Sequence, residues 1–199
     1  MAAPVRQYHH GDLRRVLLDA TAELVGEVGP FSWSLREVAR RAGVSHAAPA
    51  YHFGDKAGLL LAVATEGFEK FAAALAAAEP TSPDEDPFDA FHRQGLAYLT
   101  FAREHRGPFD LMFRCDVYEP DDAYLIAAAR SYEWLELGAE RIAAAAGRDD
   151  VADIAAAAWA TAHGLATLAA MGLRPANRER LGDESRILAV FIDSLRPRS

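Results

Sequence analysis

The stretch Ser34-Leu-Arg-Glu-Val-Ala-Arg-Arg-Ala-Gly-Val-Ser45 starts a helix, stops it and starts another. Ser34 followed by Glu37 has the pattern of a capping box. The hydroxyl accepts from the backbone N–H at the third helical position, and the carboxylate reaches back. Leu35, Val38, Ala39 and Ala42 recur at helical spacing and form an inner face. Gly43 permits the positive φ that a tight reversal needs. Val44 plugs the angle between the helices, and Ser45 is expected to cap a third helix over 46–53. Pro49 sits at the edge of its first turn, where a missing N–H costs least. Segment 34–53 therefore reads as a helix-turn-helix, although an ordinary helical corner shares that spacing.

Helical signals continue on both sides. Asp12 is a good N-cap for a first helix carrying Leu13, Val16, Leu17, Ala20, Leu24 and Val28, stopped by Gly29-Pro30. A longer helix runs from Lys56 to about Ala78. Residues 79–87 hold three prolines and read as an exposed linker. A fifth helix begins at Pro87 with Asp86 as cap and ends at Gly107-Pro108, and a short apolar one spans 108–114. The next covers 121–146, with Tyr124, Leu125, Ala128, Tyr132, Leu135, Ala139 and Ile142 inward. Asp149 or Asp150 caps a helix to about Met171, and a last helix covers about 177–195. The count is nine. Alanine, the best helix former and a poor strand former, supplies 42 of the 199 residues, and no stretch shows sustained period-two alternation. The fold class is all-α.

The chain is 51% hydrophobic and 25% charged, with net charge −8, the composition of a globular protein able to bury a sizeable core. Its single cysteine, Cys115, forms no internal disulfide and no thiolate zinc site, so a reducing, cytoplasmic setting is expected. The uncharged run Ile154 to Leu173 is alanine-rich and contains His163, and it reads as a buried helix rather than a membrane span. Charge is uneven. Residues 1–71 hold eight Lys/Arg and eight Asp/Glu, whereas the rest hold 13 and 21. Such asymmetry suits a protein of which one half meets a polyanion.

Catalysis finds little support. No serine, histidine and acid sit in a nucleophile elbow, and no glycine-rich phosphate loop follows a strand. Asp121-Asp122 and Asp149-Asp150 fall at helix starts, where acids complement the helix dipole. The pair His9-His10 has no nearby third ligand, so neither metal nor cofactor is expected.

Beyond spacing, the residues resemble a known family. Ser34 to Ser45, then Tyr51-His52-Phe53, Asp55-Lys56 and Leu59-Leu60, are similar to the DNA-binding domain of TetR-family transcriptional regulators, over about residues 11–71. The head Tyr8-His-His-Gly-Asp-Leu-Arg14, the run Ser45-His-Ala-Ala-Pro49 and Trp159-Ala-Thr-Ala-His-Gly164 resemble one branch, that with a tryptophan-histidine-glycine C-terminal domain. The resemblance implies a DNA-binding domain over 1–71 and a ligand-binding and dimerisation domain over 72–199. It implies a homodimer through the last two long helices, binding to a palindromic double-stranded operator, and repression released by a small-molecule effector.

It also implies roles. Arg36, Tyr51, His52 and Lys56 would meet the DNA backbone. Ser45 would cap the recognition helix, and His46, Ala47 and Ala48 would open it, where bases are read. Arg6, Tyr8, His9 and His10 would form an arm along flanking phosphates. The chain departs from the family at Ala50, where an aromatic usually stands, and Tyr51 comes one place later. In the C-terminal half, Phe91, Tyr98, Phe101, Phe109, Met112, Phe113, Tyr118, Trp134, Trp159 and His163 are candidate pocket residues, with core packing as the alternative for each. Arg114 is a further polar candidate. Ala158, Ala162 and Ala166 would permit close helix approach across a dimer. Two rival readings are a helical small-molecule carrier or enzyme that never meets DNA, which the zero net charge of 1–71 favours, and a protein-interaction module.

Overall fold

The structure, a computed structural model, describes residues 10–170 and 184–197. Among these residues there are nine helices and no strand. They are α1 (His10–Val28), α2 (Leu35–Ala42), α3 (Ala48–Phe53), α4 (Lys56–Ala77), α5 (Pro87–Glu104), α6 (Arg106–Met112), α7 (Asp122–Ala146), α8 (Val151–Ala170) and α9 (Glu184–Asp193). The fold is the all-α arrangement expected. The arm residues Arg6, Tyr8 and His9 and the expected start of the last helix at 177–183 lie outside the described residues. No described helix is long and apolar enough to cross a membrane.

The chain forms two compact units, Met1–Gly67 with Gly107–Leu125 and Phe68–Arg106 with Ile126–Ser199. In the first, α1 packs on α2 and α2 on α3 around Leu17, Val25, Val38 and Leu59. α6 crosses α1 backbone to backbone at Gly107. A Cβ there would stand 2.2 Å from the carbonyl oxygen of Ala22, so only glycine fits. In the second unit α5 packs on α8 and α9, and α8 on α9, around Phe91, Leu99, Ile154 and Leu188.

Several local expectations need correction. α1 already includes His10, so Asp12 lies inside the helix and not at its start. Gly107-Pro108 do not end α5. That helix stops at Glu104, and the pair lies in the first turn of α6, where proline has no donor to lose. On α7 the buried positions are Tyr124, Ala127, Ser131, Gly138, Ala139, Ile142 and Ala143, while Leu125 and Tyr132 are exposed. Small residues carry the inner face, so the large apolar ones misdirect the reading. Ala158, Ala162 and Ala166 are buried within the chain itself and are not a free stripe. The 79–87 segment is tied down rather than loose. Arg93 donates to the carbonyls of Ala78 and Glu79 and to the Glu85 carboxylate, and Arg141 donates to Glu79 at 2.5 Å.

Candidate nucleic-acid interface

α2 begins at Ser34, whose extended backbone (φ −123°) and side-chain oxygen meet the amide of Glu37 at 3.4 Å. Half of the expected capping box forms. The Glu37 carboxylate does not reach back but takes two hydrogen bonds from Arg40, at 2.9 and 2.6 Å. The helix ends at Gly43, φ +66°. The amide of Gly43 bonds to Arg40 and that of Val44 to Ala39, the reciprocal pair of a Schellman turn. The reversal sits where the sequence places it.

The third helix begins later than expected. Ser45 and the turn residues His46 and Ala47 precede it, and its cap is Ala47, with no side-chain hydrogen bond. Ser45 is therefore not the helix cap; its carbonyl instead accepts from Ala48 in a turn. The delay rotates the helix so that Ala48 and Pro49 point inward, with Ala48 only 7% exposed. Ala48 is thus removed from the outer face on which it was expected. The exposed residues are Ser45, His46, Ala47, Ala50 and Tyr51, the last at 81%. His52 is half-buried and meets the Tyr51 ring edge-on at 5.2 Å. Phe53 is half-buried beneath the Arg14 guanidinium at 5.4 Å.

The basic residues of α2 differ in availability. Arg41 takes Glu27 with two hydrogen bonds, at 2.7 and 2.8 Å, tying α2 to α1. Arg40 is held by Glu37. These contacts keep the Glu27 and Glu37 carboxyls below the usual carboxylate range. Arg36 is exposed and has no ion-pair partner among the described residues. Lys56, the first residue of α4, is half-buried. Its Nζ donates to the carbonyls of Trp33 at 2.8 Å and Phe31 at 3.2 Å and lies 4.1 Å over the Trp33 ring. Neither the loop carbonyls nor Trp33 announce themselves in the sequence, which shows no periodicity across Gly29-Pro30.

The pocket candidates divide between the two units. Phe109, Met112 and Phe113 belong to the first unit, where Phe109 and Phe113 meet ring to ring at 5.4 Å. Tyr118, also expected at the pocket, is there as well. Its hydroxyl donates to the carbonyl of Leu111, and Tyr124 donates to Met112 at 2.7 Å, so two tyrosines satisfy the end of α6. Arg114 is held by Asp116, at 2.7 and 2.8 Å. In the second unit Tyr98 and Phe101 pack against Phe71, with ring centroids at 4.9 and 5.1 Å. Tyr98 Oη lies 2.8 Å from His163 Nδ1, and Trp159 lies beside His163. Phe91 instead abuts Gly138, and the Trp134 carbonyl accepts from Gln94 at 2.8 Å. An open groove of about 510 Å³ between the 79–87 segment and α7 is lined by Glu79, Pro83, Arg141 and Ala144, and by none of these aromatic residues.

Comparison with known proteins agrees with this geometry. Residues 17–63 match the family model of bacterial regulatory proteins of the tetR family. Residues 91–195, just over half of the chain, match the tetracyclin repressor-like C-terminal domain. A protein with unknown function from Rhodococcus sp. RHA1 has a solved structure 34% identical in sequence, with TM-score 0.79, covering 96% of this chain and 97% of that one. The TetR-family regulator PfmR of Thermus thermophilus shares the fold at 23% identity and TM-score 0.66, over 91% of this chain and 96% of its own. The regulator BetI of Escherichia coli is 49% identical over 47 residues, a match spanning 24% of either protein. A helix-turn-helix with the matched turn, followed by a matched helical C-terminal domain, assigns the chain: it belongs to the TetR family of bacterial regulatory proteins.

Proposed function

We propose that the protein is a DNA-binding transcriptional regulator, acting as a cytoplasmic homodimer on a palindromic operator and released from it by a small apolar effector. The observation that carries the reading is the exposed leading end of α3, Ser45 to Ala47 with Tyr51, standing clear of the Gly43 turn. A recognition helix reads base edges in the major groove from its N-terminal residues. His46 and Ala47 reach bases, the first by hydrogen bonding and the second by its methyl. Arg36 and Tyr51 reach phosphates, and His52 supports Tyr51. The branch with a tryptophan-histidine-glycine domain is the assignment favoured by Trp159, His163 and Gly164, because Trp159 and His163 converge on Tyr98. The effector is expected in the second unit near Tyr98, Phe101 and His163, where aromatic surface is dense and ionic partners are few. It acts by binding more tightly to the dimer in which the two recognition helices miss adjacent major grooves.

The test is binding of the purified protein to DNA from upstream of its own gene, with the salt dependence measured. Nanomolar binding to one palindrome and a steep loss of affinity with salt support the reading. Equal, weak binding to all sequences counts against it.

A further inference from the structure

We propose that Lys56 is a positioning residue of the helix-turn-helix, its ammonium holding the loop between α1 and α2 rather than a DNA phosphate. A lysine ammonium has three N–H donors. Here two go to backbone carbonyls, those of Trp33 at 2.8 Å and Phe31 at 3.2 Å, and the cation covers the Trp33 ring at 4.1 Å. The Trp33 indole N–H donates in turn to the carbonyl of Gly29 at 3.0 Å. Three carbonyls of one six-residue loop are therefore met by two side chains, and none of the three has a helical partner.

The loop matters because it leads directly into α2. Trp33 is buried and immediately precedes Ser34, the cap of that helix. Lys56 is the first residue of α4, whose start is fixed by the Asp55 carboxylate accepting from Gly58 at 2.9 Å. The ammonium thus joins the start of α4 to the entry of α2, and so sets the attitude of the reading unit. Burial pushes the ammonium pKa down, as its enclosed setting requires. A phosphate competing for this cation would have to release two carbonyls and an aromatic face.

The consequence for DNA binding rests on the proposed regulator reading; the consequence for the loop does not. The test uses the full chain. Hydrogen exchange without DNA is compared for the parent, Lys56→Met and Lys56→Arg. Lys56→Met should speed exchange of amides in 29–38 at least about tenfold, and Lys56→Arg, with its several donors, should restore part of the protection. Unchanged exchange in Lys56→Met overturns the proposal. Should Lys56→Met fail to fold, Lys56→Gln gives the same comparison with a donor but no charge, and protection equal to the parent overturns the proposal.

The second arm is DNA affinity against salt. Lys56→Met should weaken all sequences alike with the slope of log K against log salt unchanged. A slope shallower by about 0.9, the loss of one phosphate contact, overturns the proposal. If the parent binds no DNA, the regulator reading falls, and the exchange measurements still decide the role of Lys56.

Discussion

Tyr98 Oη lies 2.8 Å from Nδ1 of His163, joining α5 to α8 through a buried tyrosine and a half-buried histidine. The indole N–H of Trp159 donates to the same hydroxyl. Burial lowers the His163 pKa, which favours a neutral ring.

The pH dependence follows from that direction. A histidine whose folded pKa is depressed binds fewer protons folded than unfolded. Its contribution is fully present above the unfolded value of about 6.5 and is lost as pH falls through the folded value. Thermal stability should decline from pH 7 downward, by at most about 1.4 kcal/mol per unit for this one proton. His163→Gln should flatten the melting-temperature profile between about pH 6.5 and 5. An identical profile in parent and variant would refute the assignment.

Removing the hydroxyl isolates the same link. Tyr98→Phe keeps the ring against Phe71 but removes the hydroxyl that His163 Nδ1 meets. Leaving buried polar groups unpaired costs about 1–3 kcal/mol. Trp159 is 42% exposed and can turn to water, so the lower half of that range is expected from denaturant midpoints.

Most of the fold is legible from periodicity and caps. Asp86 caps α5 through the Phe88 amide at 2.7 Å, and Asp121 caps α7 through Tyr124 at 2.8 Å, as the residue types imply. What is not legible depends on rotation by one or two residues. The start of α3 at Ala48 instead of residue 46 puts Ala48 on the buried side of a six-residue helix. Ala48 and Ala50 are identical in type, so composition cannot tell which one is outside. The Lys56 cage escapes for another reason: it joins a side chain to backbone carbonyls more than 20 residues away, and carbonyls carry no sequence signal.

The crossing of α6 over α1 predicts a sharp local sensitivity. Gly107→Ala places a methyl 2.2 Å from the Ala22 carbonyl oxygen and 2.9 Å from the Gly26 nitrogen. Both are backbone atoms, so a helix must move. Overpacking of this kind costs about 3 kcal/mol, measured as a shift in urea midpoint with an unchanged slope. A loss below about 0.5 kcal/mol would show that the two helices are not in contact.

At the recognition helix, the inward turn of Ala48 separates two outcomes. Ala47→Ser and His46→Ala alter groups on the exposed end and should change base preference at one or two positions of each half-site, by about 1–3 kcal/mol per position. Tyr51→Phe should weaken all sequences alike by loss of one phosphate contact. Ala48→Ser buries a hydroxyl and should lower stability before it alters sequence preference. Selection from a randomised DNA pool, run beside thermal melts, distinguishes these cases. A changed sequence preference in Ala48→Ser with unchanged stability would place that residue back on the DNA.

For the proposed homodimer, the informative positions are those that the chain itself leaves uncovered. Ala162 is buried within its own subunit, so Ala162→Arg would unfold the second unit and say nothing about association. Leu168 on α8 and Val190 on α9 are instead 51% and 71% exposed, large apolar side chains with no internal reason to be apolar. Covering such side chains stabilises an assembly by about 25 cal/mol per Å² of apolar area. A carboxylate at either site is harmless in a monomer, where it faces water, but costs several kcal/mol when a partner encloses it without a counter-charge. Leu168→Asp and Val190→Asp should therefore leave helicity unchanged while shifting the sedimenting species from dimer to monomer at micromolar concentration. Because two half-sites are read together, each variant should also lose most of its operator affinity. Variants that remain dimeric and bind DNA as the parent does would move the subunit interface away from α8 and α9.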